Sequence, residues 1–259
     1  MKKLGIGLVA AASLLMVSDP ASALFTNGGF ETGDFTGWNL DYGYRAGDDT
    51  INITWGQADN GLAMVMDSST TMTGQTLDVN PYNGSRMARI NDIYGGSHAT
   101  KLWQQDAITQ ADIDAGGNLY VNWGAMLIEP SNQHPAGAQP YFSINVKVNG
   151  TDVASFWADA LNHYVDPSWV VAGNYGGNLY YKHGTESLAL GSLTVGDLVM
   201  VELIVSDCGW GGHGGYAFLD GIGTTYEPPD NEVPEPATML LFGTGLAGLA
   251  SRRLRRKKA

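Results

Sequence analysis

The stretch YFSINVKVNGTDVASFW, residues 141–157, leaves this chain the least freedom in what it can fold into. Phe142, Ile144, Val146 and Val148 recur at every second position, which puts them on one face of an extended strand; a helix would scatter them around its circumference. Asn149 and Gly150 follow, the pair that supplies the two positive-φ residues of a type I′ turn. The segment predicts a hairpin with one buried face. Comparable runs recur along the chain: GLAMVMDS, SRMARIND, NLYVNWGAMLI, DLVMVELIVSD and GYAFLDGI, each apolar or alternating and bounded by Gly, Asn, Asp or Pro. DAITQADIDAG alone reads as helix, and it leads into the strand that begins at Asn118. The 35 glycines against 14 Lys plus Arg point the same way, since glycine weakens helix interiors and serves turns. The expected fold is all-β, a sandwich or jelly roll spanning about residues 24–226.

Both ends read differently from this body. Lys2 and Lys3, an apolar run from Leu4 to Val17 and a close on Ala21-Ser22-Ala23 form the three parts of a secretory signal, with cleavage expected after Ala23 by signal peptidase once the general secretion machinery has exported the chain. Between Leu24 and Val233 six basic residues face 24 acidic ones, a charge that repels nucleic acid and attracts cations. Nucleic-acid binding is therefore not expected. Cys208 is the only cysteine, so no internal disulfide can form even in an oxidising compartment.

After a linker at 227–233, the last residues pack three physically distinct pieces together. Pro234-Glu235-Pro236 precedes an uncharged run from Ala237 to Ala250, and Arg252, Arg253, Arg255 and Arg256 follow with two lysines. As a helix the apolar run reaches about 21 Å at 1.5 Å per residue, short of a full span, yet the basic cluster is what keeps a C-terminal end in the cytoplasm. In motif, order and position this tail resembles the PEP-CTERM sorting signal of Gram-negative bacteria. The resemblance implies a partner, an exosortase-type membrane enzyme, a transient inner-membrane intermediate anchored by the C-terminal transmembrane helix, and a destination at the cell surface or in an exopolysaccharide matrix. A plain C-terminal anchor is the alternative reading.

The body is similar to the galactose-binding-like jelly rolls that include carbohydrate-binding modules, in NGGFETGDFTGW, PYNGSRMARIND with KLWQQ, AGGNLYVNWGAM and GGYAFLDGI. Such modules often hold a structural calcium where first and last strands meet. That resemblance implies Gly29, Glu31 and Asp220 as ligands, with Asp78 or Asn83 as further oxygen donors; the alternative is that both carboxylates bond turn amides. Sugar binding needs exposed planar aromatics flanked by amides and carboxylates. Trp55, Trp103 with Gln104, and Trp210 are the candidates, each with a core role as its alternative.

No catalytic signature accompanies them: G-x-S-x-G, H-E-x-x-H, paired cysteines and a Walker loop are missing from the sequence. His98, His134, His163, His183 and His213 lie scattered, without metal-ligand spacing. The leading expectation is a non-enzymatic exported jelly-roll protein that binds polysaccharide. A purely structural surface protein is the second reading and a secreted glycan hydrolase the third.

Overall fold

The structure, a computed structural model, describes residues 24–129 and 134–223. The signal peptide with Ala21 and Ala23, the linker at 227–233 and the sorting tail at 234–259 lie outside the described residues. Twelve strands follow one another: β1 (Asn39–Arg45), β2 (Ile53–Gln57), β3 (Met64–Asp67), β4 (Arg86–Ile90), β5 (His98–Ala107), β6 (Asn118–Ile128), β7 (Tyr141–Val148), β8 (Thr151–Asp159), β9 (Val170–Asn174), β10 (Asn178–Ala189), β11 (Leu198–Ser206) and β12 (Gly215–Gly223). A short helix, α1 (Gln110–Ala115), precedes β6. It starts where a capping box forms, Thr109 and Asp112 each bonding the other's backbone amide. Among the described residues no helix is long and apolar enough to cross a membrane.

The strands form two six-stranded antiparallel sheets, ordered β2-β1-β5-β11-β7-β8 and β3-β4-β12-β6-β10-β9. The body is a jelly-roll β-sandwich. The predicted hairpin is β7-β8, with Asn149 at φ 50° and Gly150 at φ 80° in its turn. Its inward residues Phe142, Ile144 and Val146 are fully buried and join Leu102, Val201 and Leu203 of the first sheet against Leu119, Val121, Trp123, Ala125 and Leu219 of the second. Trp123 stacks on Phe156 with ring centroids 4.5 Å apart.

A second apolar cluster lies on the other side of the second sheet. Met66, Met87, Phe218, Met126 and Tyr181 point away from the sandwich interior and are buried with Met72 and Val79 from the β3–β4 connection. That connection crosses the whole sheet. It reaches the far edge, where Gln75 forms a bridge to Gly173 of β9 and Thr76 bonds the Ala172 carbonyl at 2.7 Å. A cavity of about 490 Å³ remains under its end, lined among others by Asp78, Tyr82, Tyr181, Lys182 and His183.

Candidate functional site

The outer face of the first sheet is covered at one end, where Arg45, Ala99, Ser143 and Ser206 are buried and Arg45 bonds the carbonyls of Gly137 and Gln139; farther along the strands its side chains are half-buried or exposed. In antiparallel pairing, directly opposed residues share a face. Register therefore places Trp55 of β2, Asp41 and Gly43 of β1, Lys101 and Trp103 of β5, Glu202 of β11, Asn145 and Lys147 of β7 and Trp157 of β8 on one outward surface. Five spacings of about 4.8 Å make that surface about 24 Å wide across the strands.

One end of it is built around a missing side chain. Trp55 pairs with Gly43, and a Cβ on Gly43 would sit 2.8 Å from Trp55 Cε3 and 2.7 Å from Ile53 Cγ2. The Trp55 ring packs against the Gly43 backbone because no side chain stands there. Lys101 stands beside it, its Nζ 5.1 Å from the Trp55 ring and 5.9 Å from the Trp103 ring, a cation between two π faces. Asp41 fixes both neighbours: its Oδ2 accepts from Trp103 Nε1 at 3.0 Å and pairs with Lys101 at 2.8 Å. Further along, Glu202 accepts from Lys147 at 2.7 Å and from Asn145 at 3.3 Å. Trp157 closes the far edge, 59% exposed.

Two of the sequence candidates, Trp55 and Trp103, thus meet on one face. Gln104 does not join them. Strand alternation turns it inward, where it is buried and its Nε2 donates to the Gly37 carbonyl at 2.8 Å. Trp210 sits instead in the β11–β12 turn, exposed, with Nε1 donating to Asp49 Oδ1 at 3.1 Å. Trp157 was not singled out from the sequence, although the predicted hairpin carries the signal: Ser143 pairs with Trp157, so Trp157 must face away from Phe142 and Phe156. Trp38, Trp123 and Trp169 are core residues.

Gly29, Glu31 and Asp220 are also brought together, since a Cβ on Gly29 would lie 3.8 Å from Asp220 Oδ1 and 3.9 Å from Glu31 Cγ. Glu31 accepts from Ser85 N (2.8 Å), Ser85 Oγ (2.7 Å) and Arg86 N (2.9 Å). Burial works to raise its pKa, but these bonds prevail and hold it below the ordinary value. Asp220, fully buried, accepts from the amides of Tyr82 (2.7 Å), Asn83 (2.9 Å) and Gly221 (2.6 Å). Burial pushes its pKa up to about 8, and the charge of Glu31 adds to the shift. Two acidic side chains drawn to one glycine offer the oxygen chemistry that suits a hard cation. Asn83 takes part through its amide, and Asp78 lines the cavity described above.

The histidines are less scattered in space than in sequence. His134 and His213 gather with Cys208, and His98 with Asp92 and Asp207, each group with its ligand atoms within 4.8 Å of one another. Asp207 is spent on holding the 91–98 turn, accepting from Asn91 Nδ2 (2.7 Å), Gly96 N (2.9 Å) and His98 N (2.9 Å).

Outside this body, residues 232–256 match the PEP-CTERM protein-sorting motif. The chain carries an exosortase sorting signal. No curated protein matches it. Among solved structures it is similar to TmCBM61 in complex with β-1,4-galactotriose, at 14% identity and TM-score 0.40 over 77% of this chain and 95% of the other. It is similar to the non-crystalline-cellulose-specific carbohydrate-binding module CBM28, at 16% identity and TM-score 0.38 over 79% and 96%. A cyclase from Fischerella sp. TAU is also similar, at 15% identity and TM-score 0.40 over 75% and 91%.

Proposed function

We propose that this exported protein binds polysaccharide along the outer face of its first sheet, as a non-enzymatic component of the cell surface or extracellular matrix of a Gram-negative bacterium. The observation that carries the reading is the row Trp55, Lys101, Trp103: an indole packed on Gly43, a second indole fixed by Asp41, and a cation beside both. Flat apolar ring faces beside charged and amide groups suit a sugar, which offers apolar C–H patches and a rim of hydroxyls. Two carboxylates of this face are engaged in ion pairs, Asp41 with Lys101 and Glu202 with Lys147, a use that fixes shape. After exosortase processing, the matrix polysaccharide of the producing cell is the natural ligand class. Affinity electrophoresis through gels of soluble polysaccharides, with a glycan array on the same sample, tests the reading. Retardation lost in Trp55→Ala and Trp103→Ala supports it, whereas a blank array and unretarded migration return the protein to a structural role.

In this reading Gly29, Glu31 and Asp220 hold a calcium ion that ties the N-terminal segment to β12. An ion bound only by the folded form adds about 2.7 kcal/mol at a hundredfold excess over Kd. Melting of the protein with calcium and with chelator tests it, and identical curves would remove the ion.

A further inference from the structure

The turn DCGWGGHG joins β11 of the first sheet to β12 of the second and folds back on itself. Gly211 and Gly212 take φ of 76° and 95°, and the Cys208 amide bonds the His213 carbonyl at 2.8 Å. This closure sets Cys208 Sγ 3.8 Å from His213 Nδ1. The third member, His134, arrives from the β6–β7 connection, its ring 5.0 Å from that of His213 and 4.8 Å from that of Trp210. Its Nδ1 is buried and has no hydrogen-bond partner.

The two backbone segments are clamped before any ligand is considered. Buried Arg45 donates to the carbonyls of Gly137, Gln139 and Asp207, the last at 2.8 Å, and so ties the segment after His134 to the residue before Cys208. Gly209 N bonds the Ala138 carbonyl at 2.8 Å, and Gln139 Nε2 bonds the His134 carbonyl at 2.6 Å. Burial lowers the pKa of both histidines. Burial, helped by the charge of Asp207, raises the Cys208 thiol above its ordinary value, against the pull of two backbone amides and the Arg45 guanidinium.

We propose that His134, Cys208 and His213 bind a zinc ion, distinct from the oxygen-lined site at the other end of β12. Two imidazole nitrogens and one thiolate are zinc's preferred donors; tetrahedral bonds of about 2.0–2.3 Å space such donors about 3.3–3.6 Å apart. The donor atoms here lie within 4.8 Å of one another, so modest side-chain movement closes the set. Binding forms the Zn–S bond and breaks the S–H bond of Cys208, whose proton passes to solvent; both imidazoles bind neutral, and water takes the fourth position. The ion cross-links the β6–β7 and β11–β12 connections in a chain whose single cysteine cannot form an internal disulfide.

The test uses the exported protein without a histidine tag, reduced, stripped with chelator and titrated with Co²⁺ and then Zn²⁺. The expected result is one equivalent of Co²⁺ with a thiolate charge-transfer band and the intense visible bands of four-coordination, displaced by Zn²⁺ and untouched by Ca²⁺, with a proton released on Zn²⁺ binding. Cys208→Ser should lose the charge-transfer band and weaken Zn²⁺ by more than about 100-fold, beyond what losing an outer-shell partner costs. His134→Gln, at the partly exposed rim, should weaken it by at least about tenfold while keeping the wild-type circular dichroism. Cys208→Ala replaces the serine variant if a buried hydroxyl unfolds the chain. Absence of a thiolate band in the wild-type protein, or wild-type Zn²⁺ affinity in the Cys208 and His134 variants, overturns the proposal.

Discussion

The two sheets of this sandwich present opposite outer faces. On the second, methionines and aromatics point outward and the β3–β4 connection folds across them, burying Met87 and Phe218 completely. On the first, tryptophans also point outward, yet they are interleaved with Lys101, Asp41, Glu202 and Lys147, and Trp157 stands exposed. An apolar face that the protein needs for its own stability is closed by its own backbone. A face that mixes rings with ion pairs can stay in water, because its polar groups are already satisfied and its rings are supported from below.

Four experiments break or sharpen that contrast. The largest effect belongs to the covered side: Phe218→Ala should destabilise the protein by about 3–5 kcal/mol in denaturant unfolding, whereas Trp157→Ala on the first sheet should stay within about 0.5 kcal/mol. Equal costs for the two substitutions would erase the distinction between the faces. Next, Trp55→Ala should lower affinity for the retained polysaccharide at least tenfold, about 1.4 kcal/mol, with the melting temperature nearly unchanged. Gly43→Ala follows, since the added methyl meets Trp55 and Ile53 below 3.0 Å. It should weaken polysaccharide binding severalfold and cost about 1 kcal/mol of stability, read by the same gels and by unfolding. A Gly43→Ala protein that binds like wild type would show that the Trp55 indole is not the platform.

The smallest effect lies at the edge of the second sheet, where Asp166 of the β8–β9 connection accepts from Lys182 of β10 at 2.5 Å. That bond, with those from Ser168, draws the Asp166 pKa down to about 2. A carboxylate whose folded pKa lies below its unfolded value of 3.8 stabilises the fold above that pH and loses the contribution as pH falls toward 2. Carboxyl NMR should find the low midpoint, and Lys182→Met should return it toward the ordinary value.

Sequence pattern carried the strands whose inward residues repeat without interruption. β6, β7, β11 and β12 sit where GAMLI, FSINVKV, VMVELIV and YAFLD alternate or run apolar. β10 was harder to read, because in NLYYKHGTESLA the interior-facing positions include Lys182, which reaches the Phe156 ring at 4.8 Å, and Glu186, which accepts from Trp123 Nε1 at 3.3 Å. Polar heads on half-buried stems hide the period of two. The site was legible to the extent that a residue's own strand decides its face. Alternation alone turns Gln104 inward beside an outward Trp103, and the hairpin register alone exposes Trp157. What no local pattern reveals is a meeting of distant loops: His134 and Cys208 are brought together by Arg45, a residue from β1 whose side chain collects carbonyls from both connections.

The position of β12 has a mechanical side. Its Ile222 amide reaches the Gly28 carbonyl at 3.3 Å, so the two ends of the sandwich body come together. β12 itself lies between β4 and β6, hydrogen-bonded on both flanks. Whatever pulls on the chain beyond Gly223 pulls along the axis of an interior strand and loads both ladders in parallel. A body hung from such a strand resists a tug by shearing many bonds together, where an edge strand would unzip one bond at a time.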